Sequence, residues 1–167
     1  MTDLNKLLKW FADKDQVLVS LSGGVDSALV AYAANRKLGK NAIAVTADYK
    51  TLSSEELDSA KLIAQEIGIN HQIIEYSELD NENFVRNDEQ RCFYCRNELS
   101  TKLLEFSNSL DIKTIVDGTQ NDDMSDYRPG IDALHGNGIR SPLLETQFTK
   151  KLVRQTAKSV GLSIYDK

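Results

Sequence analysis

One loop constrains this chain more than any other stretch: Ser20-Leu-Ser-Gly-Gly-Val-Asp-Ser27. It follows the apolar run 17–19, which predicts a strand, and precedes an alanine- and leucine-rich helical pattern that ends near Leu38. The two glycines permit a bend with positive φ, and a helix start presents N–H groups that have no intrahelical partner. The pattern therefore predicts an anion cradle, in which these N–H groups and the hydroxyls of Ser22 and Ser27 face one phosphate group.

The spacing of these residues excludes two commoner phosphate loops. A Walker A loop requires a Lys-Ser or Lys-Thr pair after its second glycine, and the dinucleotide fingerprint requires glycines spaced G-x-G-x-x-G. The residues Ser22 to Ser27 instead resemble the S-G-G-x-D-S pyrophosphate loop of ATP pyrophosphatases, which split ATP between its α and β phosphates. The alternative is a simple Gly-Gly turn with Ser22 as helix cap, although a cap needs one polar residue rather than the whole series.

Length and composition predict one globular domain over residues 1–167. A composition of 41% hydrophobic and 27% charged residues is ordinary for such a domain. The net charge of −5 argues against nonspecific binding to nucleic acid or to anionic membranes. Because no apolar run approaches the ~18 residues that span a bilayer and no signal-peptide pattern opens the chain, we expect a cytoplasmic protein.

Apolar runs alternate with helical patterns, which predicts a doubly wound, Rossmann-like α/β fold. The expected sheet is parallel and five-stranded, with helices on both faces, because strands separated by helices favour right-handed crossovers. The predicted strands are 16–20, 41–48, 71–76, 114–119 and 139–143. The predicted helices begin near Leu4, Asp26, Ser53 or Ser54, Phe93 and Thr149, and three of them end at Gly39, Gly68 and Gly161.

Residues at the ends of two predicted strands are expected to meet at one edge of the sheet. Ala47 and Asp48 end the second strand, and Gly118 and Thr119 end the fourth. The carboxyl ends of parallel strands line the crevice in which open α/β sheets bind ligands, and a glycine there permits close approach to the backbone. The following segment, 120–138, is long for a connection inside a compact domain, which makes it a candidate functional loop.

Several stretches together resemble the ATP-dependent sacrificial sulfur transferases related to LarE. They are Ser22-Gly-Gly-Val-Asp-Ser27, Arg91-Cys-Phe-Tyr-Cys-Arg96, Asp117-Gly-Thr-Gln-Asn-Asp-Asp123, Asp126-Tyr-Arg-Pro-Gly130, Arg140-Ser-Pro-Leu143 and Thr149-Lys150 with Arg154. The first stretch is shared with many ATP pyrophosphatases, whereas the second and fourth together are characteristic. The resemblance implies an adenine nucleotide α-hydrolase-like fold that uses ATP and Mg²⁺.

The same resemblance implies a concrete reaction. ATP adenylates a carboxylate of a pyridinium dicarboxylate mononucleotide, and an enzyme cysteine displaces AMP. Cleavage of the Cβ–S bond of that cysteine then leaves a thiocarboxylate, on the route to the nickel-pincer cofactor.

The sequence departs from that family at its carboxyl end. The family continues past the position of Lys167 with the sulfur-donating cysteine and a smaller oligomerising domain, and neither is present. We therefore expect either the amino-terminal part of a longer protein or a stand-alone domain whose partner chain supplies the rest. The expected partners are a small-molecule carboxylate and further chains, in a homo-oligomer or from another protein, rather than a membrane or nucleic acid.

The resemblance also assigns expected contacts with ATP. The loop residues that would hold the phosphates are Ser20, Ser22, Gly23, Gly24, Val25, Asp26 and Ser27, and those that would face the nucleoside are Ala47, Asp48, Gly118 and Thr119. Asp26 is interpreted as a Mg²⁺ ligand or as a carboxylate that satisfies N–H groups at the helix start, and we favour Mg²⁺. Lys150 would contact the pyrophosphate, although a solvated lysine beside Lys151 also fits the pattern.

The long loop and the cysteine pair carry further expectations. Arg128 would clamp a phosphate or carboxylate with two hydrogen bonds, or else pair with a nearby aspartate. Cys92 and Cys95 lie at a predicted helix start between two arginines, which favours thiolates. Two cysteines do not complete a tetrahedral site, so an iron–sulfur cluster or zinc would need ligands from elsewhere; the alternative is a pair of inert thiols.

Two other classes of function are compatible with the same loop. One is an amide-forming synthase or a tRNA thiolase, although tRNA binding calls for a basic face that the acidic composition disfavours. The other is a regulatory module that binds ATP or AMP without turnover. His71 and His135 lie far apart in the sequence, and we assign neither a catalytic role.

Overall fold

The structure, a computed structural model, describes residues 2–22, 24–48, 54–75, 101–119 and 139–165. The helices and strands in these ranges are α1 (Thr2–Phe11), β1 (Val17–Ser20), α2 (Val25–Leu38), β2 (Ala42–Asp48), α3 (Ser54–Ile67), β3 (Asn70–Glu75), α4 (helical residues 101–109), β4 (Thr114–Val116), α5 (Pro142–Glu145) and α6 (Lys150–Ser159). A 3₁₀ turn at Gly39–Asn41 joins α2 to β2.

The strands form one parallel sheet in the order β3-β2-β1-β4. In the central strand, Val17 is paired with Ala42 of β2 on one side and with Thr114 of β4 on the other. The described part of β1 is almost entirely buried, as expected for a strand covered on both faces. The predicted doubly wound α/β architecture is therefore confirmed.

The predicted fifth strand is wrong within the described residues. At 139–143 only Arg140 forms a parallel bridge, to Val116, and the chain then enters α5 at Pro142. Proline has no N–H to donate to a strand ladder, whereas its fixed φ suits the first turn of a helix. The described sheet accordingly has four strands.

Hydrophobic clusters cover both faces of the sheet. One contains Val17 and Val19 of β1 together with buried residues of α1, α2, α3 and α6. The other contains Leu18 of β1, Ile115 of β4 and Leu103 of α4. Alternate residues of β1 thus point to opposite cores, as the two-residue period of a strand requires.

Helix α1 is fixed to the segment that contains Arg140 and α5. The indole N–H of Trp10 donates to Glu145 Oε1 at 3.0 Å, and Arg140 donates to both carboxylate oxygens of Glu145 at 2.7 and 3.2 Å. Burial acts to raise the pKa of Glu145, but the hydrogen bonds from Arg140 and Trp10 and the nearby charges of Arg140 and Lys14 outweigh it. The pKa of Glu145 is therefore lowered from its usual value.

Candidate functional site

The carboxyl ends of β1 and β4 lie side by side where the sheet changes direction. The chain passes from β1 to β2 and β3 on one side, whereas β4 pairs with β1 on the other side. The crevice outside such a switch point is where open α/β sheets bind ligands. Because the Ser22–Ser27 stretch follows β1 and Gly118 and Thr119 follow β4, two predicted binding segments meet at this edge.

Ser22 and Ser27 are joined across the start of α2. The backbone N–H of Ser22 donates to Ser27 Oγ at 3.0 Å, and the two hydroxyl oxygens are also 3.0 Å apart. Ser27 is buried and Ser22 is exposed. Ser22 thus lies at the surface, and the hydroxyl of the buried Ser27 is within hydrogen-bonding distance of the Ser22 hydroxyl.

Gly24 is the N-cap residue of α2, and no side chain caps this helix. The interpretation of Ser22 as a simple helix cap is therefore wrong. The positive φ that the two glycines permit is not adopted by Gly24, whose φ of −97° and ψ of 167° any residue adopts. Among the described residues, a Cβ built on Gly24 would have Ser22 Oγ as its one neighbour within 4 Å, at an ordinary contact distance of 3.7 Å. The described residues would therefore accommodate a side-chain carbon at this position.

Asp26 and Lys150 form an ion pair between two helix starts. Asp26 lies in the first turn of α2, and Lys150 is the first residue of α6. Lys150 Nζ donates to Asp26 Oδ2 at 2.8 Å, and the side chains are 31% and 21% exposed, respectively. A lysine at a helix N-terminus is disfavoured by the helix dipole, and the carboxylate offsets that cost.

The start of α6 is capped by its own sequence. Thr149 is the N-cap residue, and its side-chain oxygen accepts a hydrogen bond from the backbone N–H of Leu152 at 3.2 Å. This cap fixes the first turn of α6, to which Lys150 belongs. The packing of α6 against α2 then places this ammonium group beside a carboxylate 124 residues away in the sequence.

Gly118 contacts the backbone of α2 directly. A Cβ at this position would lie 2.6 Å from Ser27 N and 2.9 Å from Ser27 Cα. Such distances are shorter than real Cβ contacts, so no side chain fits unless the end of β4 and the start of α2 move apart. The sequence suggested a ligand as the reason for this glycine, and the structure adds helix packing as a reason.

Asp117 is a buried carboxylate at the same edge, and it is not among the site residues predicted from the sequence. It is 7% exposed. One oxygen accepts from Ser141 Oγ at 2.7 Å and from the backbone N–H of Thr119 at 3.2 Å, and the other accepts from Thr119 Oγ1 at 3.0 Å. A carboxylate at the end of a buried strand, just before Gly-Thr, was the available signal. Asp117 holds the turn that sets Gly118 against α2.

A hydrogen-bonded chain crosses from the site to the edge strand. Thr46 Oγ1 donates to the carbonyl of Leu21 at 2.8 Å, and His71 Nε2 lies 2.7 Å from the same hydroxyl. Since a hydroxyl has one proton, His71 Nε2 is assigned as the donor to Thr46. Burial, assisted by the charge of Lys61, lowers the pKa of His71 from its ordinary value of 6.5. His71 has a structural role here, beneath the segment that leads to Ser22.

Some of the remaining predicted residues belong to the described part of the chain, and the others do not. Ser20 and Ala47 lie partly exposed in β1 and β2, whereas Val25 and Thr119 are buried, so the side chain of Val25 belongs to the core. Asp48 ends β2. The side chain of Asp48, and Gly23, Cys92, Cys95, Arg128 and His135 altogether, lie outside the described residues.

Within the described ranges no group of three or more His, Cys, Asp or Glu side chains is arranged to hold a metal ion. Asp26 stands alone there as the predicted metal ligand, and its carboxylate supplies the hard oxygen atoms that Mg²⁺ prefers. The same part of the chain contains no helix with the length and apolar character needed to cross a bilayer.

Comparison with known proteins identifies relatives that match most of this chain. A sequence model of the asparagine synthase family matches residues 11–88. An uncharacterised protein of Synechocystis is 43% identical over 98% of this chain and 61% of its own length. The pyridinium-3,5-bisthiocarboxylic acid mononucleotide synthase of Lactiplantibacillus plantarum is 33% identical over 93% of this chain and 56% of its own length. The resemblance read from the motifs is thus confirmed, and the chain spans about three-fifths of these relatives.

A solved structure gives the same fold. The NH3-dependent NAD synthetase of Campylobacter jejuni superimposes with a TM-score of 0.72, covering 97% of this chain and 73% of that one. At 18% sequence identity this similarity concerns the fold. It agrees with the parallel sheet and its flanking helices described above.

Proposed function

Because the chain belongs to the PP-loop ATP pyrophosphatase superfamily, we propose that it is the adenylating domain of a sulfur transferase. Its substrate would be a carboxylate of a pyridinium dicarboxylate mononucleotide, as the similarity to the Lactiplantibacillus enzyme favours. The single observation that carries the proposal is the meeting of the Ser22–Ser27 loop and the Asp26–Lys150 pair at the switch point of the sheet.

The proposed step is a displacement at the α phosphorus of ATP. A substrate carboxylate oxygen bonds to that phosphorus, the bond from it to the bridging oxygen breaks, and pyrophosphate leaves with the electron pair. Both reactants are anionic, so the site must neutralise charge on the leaving group and hold the reacting atoms in line. In a chain of net charge −5, that charge must come from local groups.

The described residues supply such groups at the proposed pyrophosphate position. The exposed hydroxyl of Ser22 and the N–H groups in the first turn of α2 would hold phosphate oxygens. Lys150 would contribute its ammonium group to the same anion. Ser20, Gly23 and the backbone of Val25 complete the proposed phosphate contacts.

Magnesium fits the same edge of the sheet. Asp26 is partly exposed in the first turn of α2, and its carboxylate would hold Mg²⁺. When bound, the ion would reduce the negative charge on the polyphosphate. The proposed nucleoside contacts are Ala47, Asp48, Gly118 and Thr119, and Arg128 is proposed to bind the substrate carboxylate or a phosphate.

The cysteine pair is kept apart from this proposal. An iron–sulfur cluster or zinc at Cys92 and Cys95 stays a prediction from the sequence. Following the resemblance, we propose that residues 1–167 act as one domain and that this domain makes the adenylate.

Substrate-dependent exchange of labelled pyrophosphate into ATP tests the proposal, because reversal of adenylation returns label to ATP. We expect exchange only when Mg²⁺ and the pyridinium dicarboxylate mononucleotide are both present. Asp26→Asn should abolish exchange, whereas Asp58→Asn, which removes an exposed carboxylate on α3, should leave it within about twofold. Production of ADP and phosphate, or full exchange by Asp26→Asn, would contradict the proposal.

A further inference from the structure

We propose that the Asp26–Lys150 ion pair is an internal counter-ion pair that must be broken when ligands bind. A divalent cation and a polyphosphate would therefore each bind more tightly when the other is present. This inference rests on the proposed function, since it takes Asp26 as the metal ligand and Lys150 as the phosphate contact. The pair itself is observed directly, with Nζ and Oδ2 2.8 Å apart.

The pair spans two elements that the ligand would also contact. Asp26 belongs to the first turn of α2 and Lys150 to the first residue of α6. Both side chains are less than one-third exposed, so water screens their attraction less than at an open surface. An anion that takes Lys150, or a cation that takes Asp26, must therefore compete with a partly buried partner.

The signs of the charges determine the outcome for each ligand alone. Pyrophosphate without metal would draw Lys150 away and leave the Asp26 carboxylate close to an incoming anion. A divalent cation without phosphate would draw Asp26 away and leave the Lys150 ammonium close to an incoming cation. Each single ligand thus breaks one attraction and creates one repulsion.

The two ligands together avoid both penalties. The metal replaces Lys150 as the partner of Asp26, the polyphosphate replaces Asp26 as the partner of Lys150, and metal and phosphate attract each other. The ligand class that this pair selects is consequently a divalent cation bound to a polyphosphate, rather than either ion by itself. Ligands coupled through shared groups typically change each other's affinity by about 5- to 150-fold.

The exchange makes an unusual prediction, namely that removing one site residue strengthens binding of the opposite ligand. Titration calorimetry with inorganic pyrophosphate in EDTA should show at least about fivefold tighter binding to Asp26→Asn than to the natural chain. Titration with Mn²⁺ in the absence of phosphate should show a similar gain for Lys150→Met. Because each titration contains one ligand, complexes of metal with phosphate in solution do not contribute.

Two controls separate exchange from a simple change in net charge. Lys151→Met removes the neighbouring exposed lysine and should leave Mn²⁺ affinity within about twofold. For pyrophosphate, the gain from Asp26→Asn should be at least about fivefold larger with Lys150 present than in a Lys150→Met background, since only the former releases a lysine. Lys150→Gln replaces Lys150→Met if the latter does not fold.

The outcomes distinguish this inference from the proposed function. If the natural chain binds a magnesium complex of a non-hydrolysable ATP analogue but the Asp26→Asn gain is equal in both backgrounds, exchange is overturned and the nucleotide site stands. If neither pyrophosphate nor the magnesium–analogue complex binds the folded chain, both are overturned. Reciprocal gains of the predicted size, with an unchanged Lys151→Met, support exchange.

Discussion

Gly118→Ala is the substitution for which the structure gives the most definite mechanical consequence. The φ of Gly118 is outside the left-handed region, so alanine meets no backbone strain there. The added methyl group would lie 2.6 Å from Ser27 N, against an ordinary contact of 3.4 to 4 Å. The end of β4 and the start of α2 would have to separate by about 0.8 Å, in a site where such shifts are costly.

This displacement should lower both the free energy of unfolding and the rate of pyrophosphate exchange. Overpacking a well-packed core costs about 1–3 kcal/mol, so the free energy of unfolding should fall by that amount. A misplacement of about 1 Å in a reacting site costs roughly 100-fold in rate, so pyrophosphate exchange should fall on that order while the chain remains folded. The first is measured by urea unfolding, and the second by exchange at a temperature well below the unfolding midpoint.

Gly161→Ala provides the matched control for this variant. Gly161 has a φ of +84°, and none of the described atoms lies within 4 Å of a built Cβ, so alanine costs roughly 1–2 kcal/mol through backbone strain. It follows the carboxyl end of α6, whereas Lys150 is at the amino end. We expect a comparable loss of stability with exchange unchanged. Equal exchange activity for Gly118→Ala and Gly161→Ala would refute the argument that Gly118 positions α2.

Three further predictions concern caps and titrating groups. Thr149→Ala removes the cap of α6 and should lower the free energy of unfolding by about 1 kcal/mol in urea; an unchanged value would contradict the capping role. Because the pKa of Glu145 is lowered from 4.5, its contribution to stability is present above that pH and is lost as the pH falls through the lowered pKa. Acid titration followed by the fluorescence of Trp10, the only tryptophan, should therefore show a transition below pH 4.5 that Glu145→Gln lacks. Because the pKa of His71 is lowered, the free energy of unfolding should fall as the pH drops below 6.5. Lys61→Gln should raise the pKa of His71 in an NMR titration. An equal pKa in the variant and the natural chain would show that burial alone lowers it.

The local parts of the fold were accessible from the sequence. The strand before the loop and the two helices that end at Gly68 and Gly161 were predicted from apolar spacing and glycine position, and both glycines have the positive φ of such ends. These features depend on neighbours within one or two turns. Residues close by in the sequence therefore suffice to predict these features.

The failures lie where a pattern permitted two structures. The segment 139–143 was predicted to be a strand, but Pro142 favours a helix start over a strand ladder. The glycines of the loop permitted positive φ, whereas Gly24 adopts an extended conformation. Pro142 was visible in the sequence, so the error over 139–143 came from giving the strand pattern more weight than the proline.

The sequence predicted individual residues of the site but not the contacts between them. Asp26 and Lys150 were each predicted, yet their contact joins positions 124 residues apart and follows from the packing of α6 against α2. Asp117 was not named as a site residue, because a buried carboxylate is recognised by its hydrogen-bond donors, and Ser141 is 24 residues away. Long-range contacts of this kind leave no periodic signal in the sequence.

An oxygen-transfer experiment tests whether a substrate carboxylate bonds to the α phosphorus of ATP at this site. The pyridinium dicarboxylate mononucleotide would be labelled with ¹⁸O in its carboxylates, incubated with ATP and Mg²⁺, and the released AMP analysed by mass spectrometry. When the adenylate is cleaved at its carbonyl carbon, the bridging oxygen stays with AMP. We expect AMP that carries one ¹⁸O atom from the substrate; AMP without the label, or ADP as the product, would contradict the proposed adenylation.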